Sequence, residues 1–263
     1  MTKDKKEELV KSWIRLCTDP RTPSEQLENA AYWESINQPN DFQIRLAAAR
    51  HRSASSELLA KLSMTNSLAV QIAVAGHPNL LESTAGKLLR KHLRELRRAL
   101  AGNPKIPVYV MERLTKDFKD VRVRLAKNPA LPRNLMAMLM THKEREVRAA
   151  LAQNRNIATA LLEKLSHDKD ELVRATVVQH YKIPLAGLRA LALDKSQRVR
   201  EIIFERALEE FPTDKALFQA LSKTRPSLVA QRAEQVLAEL DARMLEAPSL
   251  PEEEPGGEPK EES

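Results

Sequence analysis

The chain holds one cysteine (Cys17), six glycines, and aromatic residues at only 4% of its 263 positions. A single cysteine excludes an internal disulfide framework, a multi-cysteine zinc site and a cysteine-ligated cluster. It suits a reducing compartment. Scarce glycine and few aromatics argue against a sandwich or barrel, which need glycine-rich turns and β-branched or aromatic runs. No stretch approaches the roughly 18 consecutive apolar residues of a membrane span. The first residues, Met1 to Glu8, are charged with no apolar run behind them. No secretory signal is expected, therefore, and a cytoplasmic protein is. There is no glycine-rich phosphate loop, no Gly-x-Ser-x-Gly and no His-Glu-x-x-His. The expectation is a protein that is not an enzyme and carries no cofactor.

What is present favours helices. Hydrophobic residues make up 42% of the chain, and Leu, Ala, Val, Lys, Arg and Glu dominate. The formal net charge of +7 is unevenly spread. From Glu246 to Ser263 there are seven Glu and one Lys, whereas residues 80 to 155 carry 18 Lys and Arg against 7 Asp and Glu. A basic middle therefore stands beside an acidic tail, which points to an acidic partner.

The dominant pattern is a repeat. Ile44-Arg45, Val70-Gln71, Leu96-Arg97, Val121-Arg122, Val147-Arg148, Val173-Arg174 and Val199-Arg200 follow one another at steps of 26 residues, with one step of 25. Three residues after each Arg or Gln comes an apolar residue, from Ala48 to Ile203. Seventeen residues after it stands a leucine every time: Leu62, Leu88, Leu114, Leu139, Leu165, Leu191 and Leu217. Apolar positions one before and three and four after the arginine form a helical stripe. Leucine pairs such as Leu135/Leu139 and Leu161/Leu165 mark a second helix. Between the two helices lie turn signals: His77-Pro78, Asn103-Pro104 and Asn128-Pro129, then Pro107, Pro132 and Pro184. The residue before a proline disfavours helical dihedrals, so the first helix ends there. The second proline is expected to open the second helix. Each such pair must bury its apolar faces on its neighbours.

The run Leu161-Leu162-x-x-Leu165-x-x-Asp168-x-x-x-x-Val173-Arg174 resembles a HEAT repeat. The run from Val121 to Pro132, Val-Arg-x-x-Leu-Ala-x-Asn-Pro-x-x-Pro, is similar to the variant leucine-rich repeat family. The resemblance covers residues 40 to 221. It implies an all-α fold, a right-handed α-solenoid of about seven 26-residue helix-pair repeats, with the Val-Arg helix lining a concave face. The founding variant leucine-rich repeat protein carries a cysteine-ligated iron–sulfur cluster near its N-terminus. With Cys17 alone, that cluster is expected to be absent. The Trp and Asp constellation of the HEAT-like DNA glycosylases is also missing, since Trp13 and Trp33 precede the repeats. The expected layout is an N-terminal helical cap over 1–38, the solenoid over 39–225, an amphipathic capping helix over 226–246 and a disordered acidic tail over 247–263. In the capping helix Leu228, Val236, Leu237 and Leu240 form the apolar face.

Two sets of residues then stand out. Arg45, Arg97, Arg122, Arg148, Arg174 and Arg200 recur at one repeat position, and Asp168 and Asp194 lie six residues before Arg174 and Arg200. In HEAT-like repeats such a pair ladders helix ends together, so these are expected to be structural. His51, His77 and His180 share the position of Asn103, Asn128 and Asn154. Helices about 8–10 Å apart do not bring such histidines to the roughly 2.0–2.1 Å a zinc ion demands. They are expected to satisfy helix-end carbonyls, as the asparagines do, and no metal is expected.

The second set is the basic cluster from Lys87 to Arg98, which includes Arg90, Lys91 and Arg94. With Arg50, Arg98, Arg124 and Lys127 it is expected to make a positive strip on the inner face. Phosphates or carboxylates along a partner meet such a strip. Only Tyr109 and Phe118 are aromatic there, so base-stacking platforms are scarce. The expected role is a scaffold for an acidic protein. Nucleic-acid binding through backbone phosphates is the alternative, and a HEAT-like repeat enzyme a distant third. The glutamate-rich tail is expected to compete with the partner for the strip.

Overall fold

A computed structural model describes residues 3–32, 41–224 and 226–246. Their regular structure is all helical, with seventeen helices and no strand among the described residues. The chain divides into two compact units, residues 1–183 and 184–263, each described here by itself. The expected acidic tail at 247–263 lies outside the described residues, as do the last six positions of the expected N-terminal cap.

In the first unit, helices come in pairs. They are α1 (Lys3–Thr18) with α2 (Ser24–Tyr32), α3 (Asp41–Arg50) with α4 (Ser56–Leu62), and α5 (Leu68–Ala75) with α6 (Glu82–Arg90). Next come α7 (Arg94–Gly102) with α8 (Val108–Leu114), α9 (Lys119–Ala126) with α10 (Arg133–Met140), and α11 (Arg145–Ala152) with α12 (Thr159–Ser166). The last helix of the unit is α13 (Glu171–Val178). First helices stack in one row: α1 on α3, α3 on α5, and so on to α11 on α13. Each second helix packs against the first helix of the next pair. This is α-solenoid stacking, and α1–α2 serve as a pair of the same kind. The repeated apolar positions make the core. Ile44, Val70, Leu96, Val121, Val147 and Val173 are buried, as are Leu62, Leu88, Leu114, Leu139 and Leu165 at the shared leucine offset. A buried leucine contributes about 1.5–3 kcal/mol, so each repeat gains from the next.

The prolines act one position earlier than expected. Pro107, Pro132 and Pro184 are the caps that immediately precede their helices, with extended backbone at ψ 151°, 150° and 154°. A cap residue has β-region dihedrals, and a proline's fixed φ is compatible with them.

In the second unit, α14 (Leu185–Leu191), α15 (Gln197–Glu210), α16 (Lys215–Ser222) and α17 (Leu228–Glu246) pack together, with α17 lying on α15 and α16. Phe204 and Phe218 meet edge to face at 6.0 Å in its core. The buried face of α17 is Val229, Ala230 and Ala233. The expected apolar face is corrected accordingly. Leu228 is 66% exposed, and Val236, Leu237 and Leu240 are only half-buried. Small side chains let the helix approach α15 and α16 more closely than leucines do.

Candidate interaction surface

Two polar ladders hold the first unit in register. One runs through the turns that follow the first helices. His51 Nε2 meets the Asp19 carbonyl at 2.7 Å, and His77 Nε2 meets the His51 carbonyl at 3.0 Å. Asn103 Nδ2 donates to the carbonyls of Ala75 and His77, Asn128 to those of Ala101 and Asn103, and Asn154 to those of Ala126 and Asn128. His180 Nε2 meets the Asn154 carbonyl at 3.2 Å. At each rung the other polar atom accepts a backbone N–H two residues on, as in Asn79 N–H to His77 Nδ1 and Ala130 N–H to Asn128 Oδ1. Histidine thus does what asparagine does, but only as the neutral Nε2–H tautomer. The carbonyls it satisfies belong to the preceding repeat. Burial pushes the His77 pKa below its ordinary value of 6.5, against the raising effect of its bond to His51.

The arginine ladder is built differently from the sequence expectation. The Asp168 carboxylate is held by Arg148, twenty residues earlier, through two bonds of 2.6 and 2.8 Å. Arg174 takes the main-chain carbonyl of Asp168 at 2.7 Å, and Arg200 that of Asp194 at 2.6 Å. Arg97 reaches Asp117 and Arg122 reaches Glu144, each at 2.7 Å and each one repeat on. Arg97, Arg122 and Arg148 grip a carboxylate in the following repeat, and Arg122, Arg148, Arg174 and Arg200 grip the loop of their own. Stacking brings the next repeat's acid alongside Arg97, Arg122 and Arg148. Burial works to raise the Asp168 pKa, but the Arg148 bonds, the Asp170 N–H and the nearby positive charges together outweigh it and hold the carboxyl below its ordinary range. Arg45 donates to the Ala31 carbonyl and lies over the Tyr32 ring.

A third row of pairs lies at the exposed starts of the first helices. Arg94 pairs with Asp120, Lys119 with Glu146, and Arg145 with Asp170. Hydrogen bonding from Arg94 holds Asp120 below its ordinary pKa.

The seven candidate partner-binding residues are all exposed, but they do not form one strip. Arg94, Arg98 and Arg124 line a groove of about 610 Å³ along α5, α7 and α9, with Ile72, Ala99, Glu95 and Asp120. Within it Arg94 is occupied by Asp120 and stacks over Phe118 at 5.4 Å. Arg124 lies across the end of α7, where a Cβ on Gly102 would come within 2.4 Å of its Nε. Glycine is what allows that approach. Arg90 belongs elsewhere, to a groove between the second helices α6, α8 and α10. Lys91 donates to the Ser63 carbonyl. Arg50 ends α3 and Lys127 caps α9, and neither lines a groove described here. Sequence reasoning did not single out Arg113, Lys116 and Met138 of the second-helix groove. Arg113 and Met138 are exposed on second helices and Lys116 in the turn after α8, and no repeat position marks them.

Residues 95–155 match the Leucine Rich Repeat Variant domain. The matched leucine-rich repeat variant stretch runs from α7 through α11, and includes Arg98, Arg124 and the three ladder asparagines. No curated protein matches the chain. Among the described residues no three His, Cys, Asp or Glu side chains gather as a metal site, and no helix is long and apolar enough to cross a membrane. The buried Cys17 thiol is pushed up to about 11 by burial. It is therefore a poor nucleophile at neutral pH.

Proposed function

We propose that the protein is a non-catalytic scaffold of the cytoplasm that binds an acidic segment of a partner protein along α7 and α9. One observation carries the reading. On the row of first helices, Arg94, Lys119 and Arg145 are paired with acids, whereas Arg98 and Arg124 are exposed with no carboxylate partner among the described residues. They lie on neighbouring helices, whose axes pack about 8–10 Å apart. Carboxylates three residues apart on a polyproline-II segment share a face and are separated by about 9 Å. Each guanidinium fork accepts one such carboxylate in bidentate fashion. A nucleic-acid backbone is a poorer match, because its dense phosphates meet Glu95, Asp120 and Glu146 on the same row. The match of 95–155 to a repeat family favours a scaffold role.

The test is affinity purification from the native cell with nuclease treatment, paired with Arg98→Glu/Arg124→Glu. A defined partner that survives nuclease and is lost in the double variant is the expected result. Binding to duplex DNA at about 50 mM salt that vanishes by about 200 mM would instead assign phosphate recognition. Partner retention by the double variant would move the site off this face.

A further inference from the structure

A groove of about 990 Å³ lies on the second helices of the first unit, along α6, α8 and α10. We infer that it is a second docking site, for a short acidic segment of a partner protein that carries an apolar anchor of one or two residues.

Its floor and wall are apolar. Leu89, Leu135, Tyr109 and Met138 line it. Tyr109 and Met138 are 42% and 50% exposed, which leaves their faces to a ligand. The tyrosine is seated by a specific device. A Cβ on Gly86 would stand 2.8 Å from Tyr109 Oη, so only glycine lets the ring lie across α6. Met138 is flexible and polarizable, a side chain that adapts to an inserted anchor.

The rim is basic. Arg90, Arg113 and Lys116 are exposed and have no carboxylate partner among the described residues, and the groove sets Glu112 against them. The groove's other acid, Asp117, is already taken by Arg97. Three unpaired cations around an apolar trough complement an apolar residue flanked by carboxylates. They do not suit a polynucleotide, which would find one aromatic ring to stack on and two acids facing its phosphates.

The groove also coincides with the stack's irregularities. The one 25-residue step places its missing residue in the loop between α8 and α9. His92, on the groove edge, is the one non-glycine with positive φ among the described residues, at 57°. Departures of this kind gather at functional sites. Three second helices about 8–10 Å apart span about 16–20 Å, the length of five or six extended residues.

The test is fluorescence anisotropy on the full chain at about 50 mM salt. The probe is a labelled hexapeptide, Glu-Glu-Leu-Phe-Glu-Glu. Saturable binding is expected, weakened about tenfold or more in Arg113→Glu/Lys116→Glu and in Met138→Asp. A peptide with Ser-Ser in place of Leu-Phe should bind more weakly by a similar factor. In Arg98→Glu/Arg124→Glu the Leu-Phe peptide should still bind more tightly than the Ser-Ser peptide by the same factor, which separates this site from the first-helix face. All five side chains are exposed, and a thermal melt of each variant confirms its fold. The inference is overturned by any of three outcomes. One is no saturation up to about 1 mM. The second is equal binding by Arg113→Glu/Lys116→Glu. The third is a six-nucleotide single strand that outcompetes the peptide.

Discussion

The row of first helices changes character between α9 and α11. At the two positions after the recurring arginine, α7 and α9 present Arg98, Ala99, Val123 and Arg124, with both arginines exposed. The same slots in α11 and α13 hold Ala149, Ala150, Ala175 and Thr176, all buried. Their arginines differ in the same sense. Arg148 and Arg174 are buried, while Arg97 and Arg122 are half-buried with an unbonded Nε. Both grooves described above lie in the looser stretch, from Ile72 to Met138. These two repeat positions thus close the stack at α11 and α13, and each carries an outward arginine once, at α7 or α9. The difference comes from side-chain size: small residues let neighbouring helices close, and large charged ones hold the slot open to solvent.

The largest effect that tests this contrast is the loss of Arg148. Its side chain and that of Asp168 are 6% and 9% exposed. Removing one partner strands a buried charge, a cost of about 3–5 kcal/mol. Arg148→Ala should therefore lower the melting temperature by many degrees, read by circular dichroism. Arg98→Ala, one position along in the outward-facing stretch, should change stability by less than about 0.5 kcal/mol. Equal effects from the two variants would erase the distinction between the sealed and open stretches.

Next in size is the asparagine ladder, which runs unchanged through both stretches. Asn128→Leu removes three bonds and leaves the Ala101 and Asn103 carbonyls and the Ala130 N–H without their partner. About 3 kcal/mol of stability should go, at about 1–3 kcal/mol for each buried group left unmade. Asn128→His should cost only about 1 kcal/mol, because histidine occupies the equivalent rung at His77 and His180. Denaturant midpoints of the two variants decide it. Matched losses would mean that the rung is filled by shape and not by its hydrogen bonds.

Much of this was legible in the residues themselves. Leucine at one offset in seven registers gave the helix pairs, because only a stack buries the same position again and again. The exchange of His for Asn at one site showed that both do a single polar task. What the chain order hid was partnership across repeats. Asp168 lies six residues from Arg174 and twenty from Arg148, and only the stacking of α11 on α13 brings its carboxylate to the more distant one. The same holds for Arg94, Lys119 and Arg145, which look free along the sequence and are neutralised by acids 25 to 27 residues on. A basic run read in one dimension therefore overstates the charge a partner meets. Arg98 and Arg124 are what remains on that face.

The smallest effect is a pH dependence that the His77 rung shares with His142, which lies outside the ladder and is also lowered by burial. His77 has its pKa depressed by burial, with the ring of His51 as a further lowering influence. Its Nδ1 accepts the Asn79 N–H, so a second ring proton has no place in the ladder. The unfolded chain takes up that proton near the ordinary value of 6.5, while the folded chain resists it until lower pH. Unfolding is then favoured by protons, and the stability is full above 6.5 and declines as pH falls through the folded value. Carboxylates such as Asp168 and Asp120, held below their ordinary 3.8, remain ionised through this window and do not contribute. Melting temperature should thus drop between about pH 7 and pH 5. In His77→Asn, which substitutes the rung found at Asn103, the drop should be shallower while the value at pH 7 stays close to that of the unaltered chain. An identical slope in the variant would show that the neutral ring is not what the His77 rung requires.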